Sequence, residues 1–167
     1  MLIFVYGDDT FRVAEKVKQM KQAFKAKFDP TGLNTAEFPS GDKTKYEVGE
    51  VMGPVRSFPF LGQKRMVIIR DLIANTKKAD MDVWEKGFQN APDSTIVIFW
   101  ETTSPKEIEK KPLFVALKSV ADVHSYPFPE LEGVALSRWI SERVKARGGS
   151  ISSQALQALV ERVGGDL

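Results

Sequence analysis

The sequence predicts an α/β protein whose core is a parallel β-sheet, and three patterns support this prediction. Short runs such as Leu2–Tyr6 and Thr95–Trp100 lack polar alternation, which is typical of strands buried on both faces. Longer segments such as Thr10–Phe28 carry apolar residues at spacings of three and four, which place them on one helical face. Strands and helices alternate along the chain, and this order favours a parallel sheet with right-handed crossovers.

The composition is that of an ordinary globular chain and excludes several classes of site. The 167 residues are 43% hydrophobic, enough for one domain, or one and a part, with its own core. Lys and Arg total 24 and Asp and Glu total 22, and a net charge of +2 gives no argument for a nucleic-acid or membrane partner. The absence of cysteine excludes disulfides, thiolate metal sites and cysteine nucleophiles. Because neither a membrane-length apolar run nor a signal peptide is visible, the predicted compartment is the cytoplasm.

In the first half of the chain, apolar runs predict the strands and three-to-four spacing predicts the helices. Each element is followed by a turn, and Gly53-Pro54 is expected to kink the end of the second helix, because proline lacks a backbone donor. The predicted elements are the strand Leu2–Tyr6, the helix Thr10–Phe28, the strand Leu33–Phe38 and the helix Thr44–Ser57. Their predicted inward residues are Val13, Val17, Met20, Phe24, Phe28, Val48, Val51, Met52 and Val55.

The same alternation continues as far as Pro129. Trp84 and Phe88, four residues apart, mark one face of a third helix, and the strongly apolar run Thr95–Trp100 is expected at the centre of the sheet. The segment Pro105–Lys118 is polar at first and then partly helical. The remaining predicted elements here are the strand Arg65–Arg70, the helix Met81–Ala91 and the strand Val120–Ser125, which Tyr126-Pro-Phe-Pro129 stops.

After Pro129 the pattern is helical only, so we predict one domain over residues 1–128 and a second unit over 129–167. The helix 131–147 carries Leu136, Trp139, Ile140 and Val144 on one face, and Gly148-Gly149 ends it. Ser152 is a candidate N-cap for the helix 153–163, which is expected to bury Leu156, Leu159 and Val163. Two helices cannot close a core, so this unit is expected to be cut short or to dock on the sheet.

The loop after the first strand, Gly7–Phe11, lies where a parallel sheet places its functional loops. A phosphate-binding loop there needs several glycines and a Lys-Ser/Thr pair, whereas this loop has one glycine, two aspartates and no lysine. We therefore interpret Asp8, Asp9 and Thr10 as helix-capping residues. The sequence predicts no nucleotide site in this loop.

Other groupings of polar residues give no strong argument for catalysis. A phosphoacceptor receiver domain would explain Asp8 and Asp9 together with Asp71 after the third strand, and Thr102 or Thr103 after the fourth, but the required lysine after the fifth strand is missing. Glu101 and Asp71 could form an acid–base pair, although their spacing does not favour that over solvation in loops. His124 is interpreted as an ordinary strand histidine. We predict no catalytic residue, no cofactor and no metal.

The segment Phe58-Pro59-Phe60-Leu61-Gly62 is unusual because it places large apolar side chains in a stretch too short for a regular element. Pro59 restrains its backbone and Gly62 allows it to turn. Two hypotheses remain open from the pattern alone. The loop folds back onto the core, or it is an exposed hydrophobic plug that enters a partner's pocket.

Four segments, in this order and spacing, resemble the delta subunit of bacterial DNA polymerase III, the clamp-loader subunit that opens the sliding clamp. They are Ile3–Phe11, Phe58–Asp71, Ser94–Phe99 and Leu136–Leu167, the last with Trp139-Ile140, Arg147-Gly148-Gly149 and Val163-Gly-Gly-Asp-Leu167. The resemblance implies a fold of the AAA+ type, related to P-loop NTPases but without a functional P-loop, followed by the first helices of a small helical lid domain. It also implies that a C-terminal collar domain is absent from this chain.

The resemblance further implies a clamp-binding role for Phe60 and Leu61, with Pro59 and Phe58 beside them. The family more often has leucine and then phenylalanine, an order that is reversed here. The implied partners are the sliding clamp (beta) and, through the missing C-terminal domain, the gamma/tau and delta prime subunits, with DNA contacted only inside the assembled loader. Such a subunit opens the clamp without hydrolysing ATP itself. The alternative function is that of a nucleotide-binding α/β enzyme.

Overall fold

The structure, a computed structural model, describes residues 1–39 and 47–163. Its strands are β1 (Leu2–Tyr6), β2 (Thr35–Phe38), β3 (Arg65–Arg70), β4 (Thr95–Glu101) and β5 (Val123–Pro127). Its helices are α1 (Thr10–Phe28), α2 (Val48–Arg56), α3 (Leu72–Asn75), α4 (Met81–Gln89), α5 (Pro105–Ile108), α6 (Pro112–Lys118), α7 (Gly133–Ala146) and α8 (Ser153–Val163), with a 3₁₀ turn at Lys78–Asp80.

The five strands form one parallel sheet in the order β2-β3-β4-β1-β5, which confirms the predicted α/β class. The most apolar strand, β4, is central, as predicted, with β3 on one side and β1 on the other. In the register of the sheet, Val5 of β1 lies between Trp100 of β4 and Tyr126 of β5. All functional loops of such a sheet leave its carboxyl edge.

Helices cover both faces of the sheet, which explains why its strands are continuously apolar. Alternate residues of β1 divide between the faces: Val5 packs with α1, whereas Phe4 packs on the opposite side under α6. There Phe4 stacks on Phe99 with ring centroids 4.9 Å apart, and Phe88 of α4 meets Phe99 edge-on. Burying each such side chain contributes about 1.5–3 kcal/mol, so this cluster stabilises the sheet strongly.

Several predicted boundaries are wrong, and each difference has a local cause. The strand β2 starts at Thr35 and not at Leu33, because the backbone amide of Asn34 donates to the carboxylate of Asp29. The strand β5 starts later than predicted, since the amide of Val120 still bonds to the end of α6, and it runs on through Pro127. As β5 is an edge strand, the missing amide of a proline costs little there.

Smaller differences concern the helices. The helices α4 and α7 end before the predicted residues, and α3 and the 3₁₀ turn had no periodic pattern that could predict them. The predicted start of α2 at Thr44 lies outside the described residues. Within the described part, α2 buries Val51, Met52 and Val55, as predicted.

The chain divides into two compact units, Met1–Phe128 and Pro129–Leu167. In the second unit, Leu136 and Ile140 of α7 are buried, and Ser152 caps α8 by accepting a 3.2 Å hydrogen bond from the amide of Ala155. The predicted burial of Leu159 is wrong, because its side chain is 39% exposed. A helix that packs against a single neighbour covers only a narrow strip of its surface. The side chain of Val163 lies outside the described residues.

Among the described residues, none of the helices has the length and apolar character that crossing a membrane requires.

Candidate partner-docking loop

The loop Phe58–Gly62 connects α2 to β3 and projects its apolar side chains into solvent. The exposed fractions are 77% for Phe58, 58% for Phe60 and 93% for Leu61, whereas Pro59 is partly buried. Of the two hypotheses left open by the pattern, exposure of Phe60 and Leu61 is confirmed, and the hypothesis that the loop folds back onto the core is wrong. Large apolar side chains exposed together are typical of a surface that binds a partner.

One buried side chain, that of Asn34, holds the loop in this position. Its Oδ1 accepts a 2.6 Å hydrogen bond from the amide of Phe60, and its Nδ2 donates a 2.9 Å hydrogen bond to the carbonyl of the same residue. Asn34 is only 3% exposed, so the Asn34 side of these part-buried bonds is shielded from water. They fix the loop backbone beside the two exposed side chains.

The backbone of Asn34 is itself anchored on both sides. Its amide donates to Oδ2 of Asp29 over 3.0 Å, and its carbonyl accepts from the amide of Met66 in β3 over 2.8 Å. Asp29, at the end of α1, is 1% exposed and also accepts a 2.9 Å hydrogen bond from the hydroxyl of Thr35. The loop is thus connected through Asn34 to both α1 and the sheet.

Sequence reasoning missed Asp29 and Asn34 as parts of this site. It assigned Asp29 to a helix-ending turn and Asn34 to the interior of a strand. The available signal was the position of Asn34 in a short strand-like run that follows the turn Asp29-Pro-Thr-Gly32. Because a buried amide side chain needs hydrogen-bond partners, an asparagine there indicates a contact with another segment.

The tip of the loop has an uncommon backbone conformation. Leu61 has φ of 49°, in the left-handed region that residues other than glycine rarely adopt. Such conformations persist where the surroundings impose them, and they concentrate at binding sites. Here the conformation turns the side chain of Leu61 outward, where it is 93% exposed.

The loop after β1 has the opposite character, since its backbone is closed in by the chain. The amide of Gly7 donates to the carbonyl of Glu101 over 3.2 Å, and the amide of Asp9 donates to the carbonyl of Phe128 over 3.3 Å. A Cβ atom on Gly7, whose φ is 154°, would overlap that same Phe128 carbonyl. A side chain at position 7 would therefore collide with the backbone of Phe128.

The predicted capping role of Asp9 is confirmed. Its Oδ1 accepts a 2.8 Å hydrogen bond from the amide of Arg12 in the first turn of α1, and its Oδ2 binds the Arg12 side chain over 2.5 Å. Asp9 is 4% exposed. Its carboxylate therefore already occupies the position at this helix end where a phosphate would accept hydrogen bonds.

At the ends of β3 and β4, two carboxylates serve as backbone acceptors. Oδ1 of Asp71 accepts 2.8 Å hydrogen bonds from the amide and the hydroxyl of Thr102. Glu101 accepts from the amides of Ile73 over 2.7 Å and Ala74 over 3.0 Å, at the start of α3. Of the two possibilities left open for Glu101, solvation in a loop is wrong, because this residue is fully buried.

Burial raises the pKa of Glu101 from its ordinary value of 4.5 to about 8. The two backbone amides that it binds and Lys111 oppose this shift of the pKa, and the charge of Asp71 adds to it. The raised pKa favours the protonated carboxyl, and the two amides at the start of α3 donate to its oxygens.

The sheet order contradicts the receiver-domain alternative. Receiver domains have the order 2-1-3-4-5, which makes β1 and β3 neighbours and brings their carboxylates together. Here β4 separates β1 from β3, so the ends of those two strands, with Asp9 and Asp71, are not adjacent.

His124 lies on the edge strand β5, where its Nε2 is 3.4 Å from Oδ1 of Asp122. In the part of the chain that the structure describes, no group of three or more His, Cys, Asp or Glu side chains could hold a metal ion.

Comparison with known proteins agrees with the fold. A search of curated proteins found no match. Among solved structures, the Bacillus subtilis DNA clamp loader delta protein (YqeN) is similar, with a TM-score of 0.66 and 22% sequence identity. The match covers 99% of this chain and 49% of that one, so the chain spans about half the length of that protein. The model of the family "DNA polymerase III, delta subunit" matches residues 4–126. This chain therefore belongs to the family of DNA polymerase III delta subunits.

Proposed function

We propose that this chain binds the sliding clamp through the loop Phe58–Gly62 and that this contact helps to open the clamp during DNA replication. The observation that carries the proposal is the exposure of Phe60 and Leu61 on a loop whose backbone is held by two hydrogen bonds from the buried side chain of Asn34. Phe60 and Leu61 would enter an apolar pocket on the clamp, with Phe58 and Pro59 packing at its rim.

The energy available from this contact is substantial. Transferring an exposed leucine or phenylalanine into an apolar pocket contributes about 1.5–3 kcal/mol each. Because the loop is already ordered, little of that free energy is spent on fixing its backbone. A plug that fits the distorted clamp interface better than the closed one shifts the ring toward opening, by no more than that difference in affinity.

We further propose that residues 1–128 form an AAA+-like domain without a functional P-loop, and that the chain is not an enzyme in its own right. The closed loop after β1 supports this, since Asp9 caps the first turn of α1 and Phe128 blocks the space beside Gly7. Two aspartates in that loop would also repel a triphosphate. The chain would act without a cofactor and without hydrolysing ATP.

The second unit, residues 129–167, is proposed to be the start of a helical lid domain. Contacts with the gamma/tau and delta prime subunits would pass through the part of a delta subunit that corresponds to the half of the solved relative outside this match. DNA would be contacted only within the assembled loader, in the cytoplasm. Support for this organisation comes from the family match and from the solved relative, of which this chain covers 49%.

The test is a direct affinity measurement between this chain and the sliding clamp of the same organism. The double variant Phe60→Ala/Leu61→Ala is expected to lose about 3–5 kcal/mol of binding free energy, a hot-spot effect. Val115→Ala provides a matched control, because Val115 is also an exposed apolar residue, at 57%, but lies on α6. Unchanged affinity in the double variant would overturn the proposal.

Calorimetry with Mg²⁺-ATP and Mg²⁺-GTP separates the proposal from the nucleotide-binding alternative. We expect no heat of binding, since the helix N-terminus is capped by Asp9. Micromolar, magnesium-dependent binding would contradict the assignment of a non-functional P-loop.

A further inference from the structure

We propose that Asn34 is the positioning residue of the docking loop: its side-chain amide holds the backbone at Phe60 so that Leu61 is presented to the clamp before binding. This inference rests on the proposed function. It adds a residue that does not touch the partner and that lies 26 positions from Phe60 in the sequence.

The geometry requires a primary amide at this position. The carbonyl oxygen of the Asn34 side chain accepts from the Phe60 amide, and the NH₂ group donates to the Phe60 carbonyl. One side chain thus supplies both an acceptor and a donor to a single loop residue, as a neighbouring strand would. A carboxylate at this position could satisfy the amide but would face the carbonyl with a second acceptor.

The side chain of Asn34 is aimed by its own backbone bonds, which do not depend on the loop. Asp29 holds its amide and the amide of Met66 holds its carbonyl. Both bonds survive replacement of the side chain, so Asn34→Ala is expected to fold. The loop would lose the two part-buried hydrogen bonds that the Asn34 side chain makes to Phe60.

Gly62 provides independent support. A Cβ atom at Gly62 would lie 3.0 Å from Nδ2 of Asn34, closer than nearly all real contacts of a Cβ atom. The absence of a side chain at Gly62 therefore leaves room for the Asn34 amide to reach Phe60. Gly62→Ala is a second variant that disturbs the same bonds without changing Asn34.

The first measurement is hydrogen exchange of the Phe60 amide in the free protein. In Asn34→Ala we expect this amide to exchange at least about 10-fold faster, because the hydrogen bond that protects it is gone. The amide of Ile68 in β3 should not change. Asn34→Asp should lie between wild type and Asn34→Ala. Thr31→Ala is the matched control, since Thr31 lies three residues before Asn34 and its hydroxyl donates to Asp29 and not to the loop.

The second measurement is a double-mutant cycle for clamp affinity. Asn34→Ala alone is expected to weaken binding about 10-fold, because the clamp must now order the loop. In the Phe60→Ala/Leu61→Ala background it should have almost no further effect, since Asn34 acts only through those side chains. General destabilisation would not produce this coupling.

Two results would overturn the positioning role: unchanged exchange of the Phe60 amide in Asn34→Ala, or an affinity loss that is fully additive with that of the double variant. Failure of the proposed function has a different signature. In that case Phe60→Ala/Leu61→Ala binds the clamp as tightly as wild type, and the exchange measurement still decides whether Asn34 holds the loop.

Discussion

The docking loop Phe58–Gly62 and the closed loop Gly7–Phe11 are organised by similar means but differ in what they expose. Each is held by one buried polar side chain, Asn34 at 3% exposure and Asp9 at 4%. Asn34 binds the backbone of a separate segment and leaves the apolar side chains of that segment outside. Asp9 binds the amide of its own helix and so removes a donor that a ligand would use.

The comparison shows that hydrogen bonds from a side chain to backbone amides and carbonyls can either create or remove a binding surface. Where the hydrogen-bonded backbone carries large apolar side chains, as in the docking loop, those side chains form an ordered hydrophobic surface. Where the hydrogen-bonded amide belongs to a helix N-terminus, as at Asp9, that amide is no longer available to bind an anion. The following predictions test this contrast, from the largest expected effect on stability to the smallest.

Gly7→Ala is expected to destabilise the fold by roughly 2–4 kcal/mol, because the new methyl group would overlap the Phe128 carbonyl at a φ that side chains rarely adopt. Gly62→Ala should cost less, about 1–2 kcal/mol, because its new Cβ atom would lie 3.0 Å from Nδ2 of Asn34 and disturb the hydrogen bonds of that side chain to Phe60. Urea denaturation of both variants measures the two values. If both variants lost the same free energy of unfolding, a Cβ atom would be tolerated equally well at Gly7 and at Gly62.

Glu101, whose carbonyl accepts the Gly7 amide, should make stability depend on pH. Its pKa is raised by burial from 4.5 to about 8, so the folded state retains a proton that the unfolded state releases in this range. Its contribution is fully present below pH 4.5 and is lost as the pH rises toward 8, by on the order of 1 kcal/mol per pH unit. Denaturation at several pH values measures this slope. Glu101→Gln should flatten it, and an unchanged slope in that variant would show that other groups cause it.

Asp9→Ala removes the N-cap of α1 and should lower the free energy of unfolding by about 0.5–2 kcal/mol. Asp9→Asn serves as the control, because its side-chain oxygen can still accept from the Arg12 amide. Thermal denaturation compares the three proteins. If Asp9→Ala also acquired affinity for inorganic phosphate, the cap would be shown to exclude anions, which would sharpen the contrast with the docking loop.

Phe60→Ala/Leu61→Ala should change the free energy of unfolding by no more than about 0.5 kcal/mol, because both side chains are already exposed in the folded state. Thermal denaturation measures the stability of the double variant, and this small change is to be compared with the large loss of clamp affinity in the same protein. A collapse of the melting temperature would mean that the loop side chains support the core, contrary to their exposure.

Much of the sheet domain could be predicted because its signals are local. The bounds of β1, β3 and α1 were predicted to the residue, since their apolar runs and periods are long and end at turn residues. The four-residue helix α3 escaped prediction because one turn carries no period. The ends of β2 and β5 were misplaced because residues outside each apolar run decide them: the amide of Asn34 bonds to Asp29, and β5 continues along β1 as far as Pro127.

By itself, the sequence determined the fold class, the central position of β4 and the presence of Phe60 and Leu61 in a loop between two elements. These properties depend on hydrophobic patterns within a few neighbouring residues, and such patterns can be read without knowing any tertiary contact. Only the tertiary structure decided that those side chains are exposed, that Asn34 and Asp29 hold the loop, and that Phe128 closes the space beside Gly7. Each of these depends on hydrogen bonds or close contacts between residues far apart in the chain, and local pattern carries no information about such pairs.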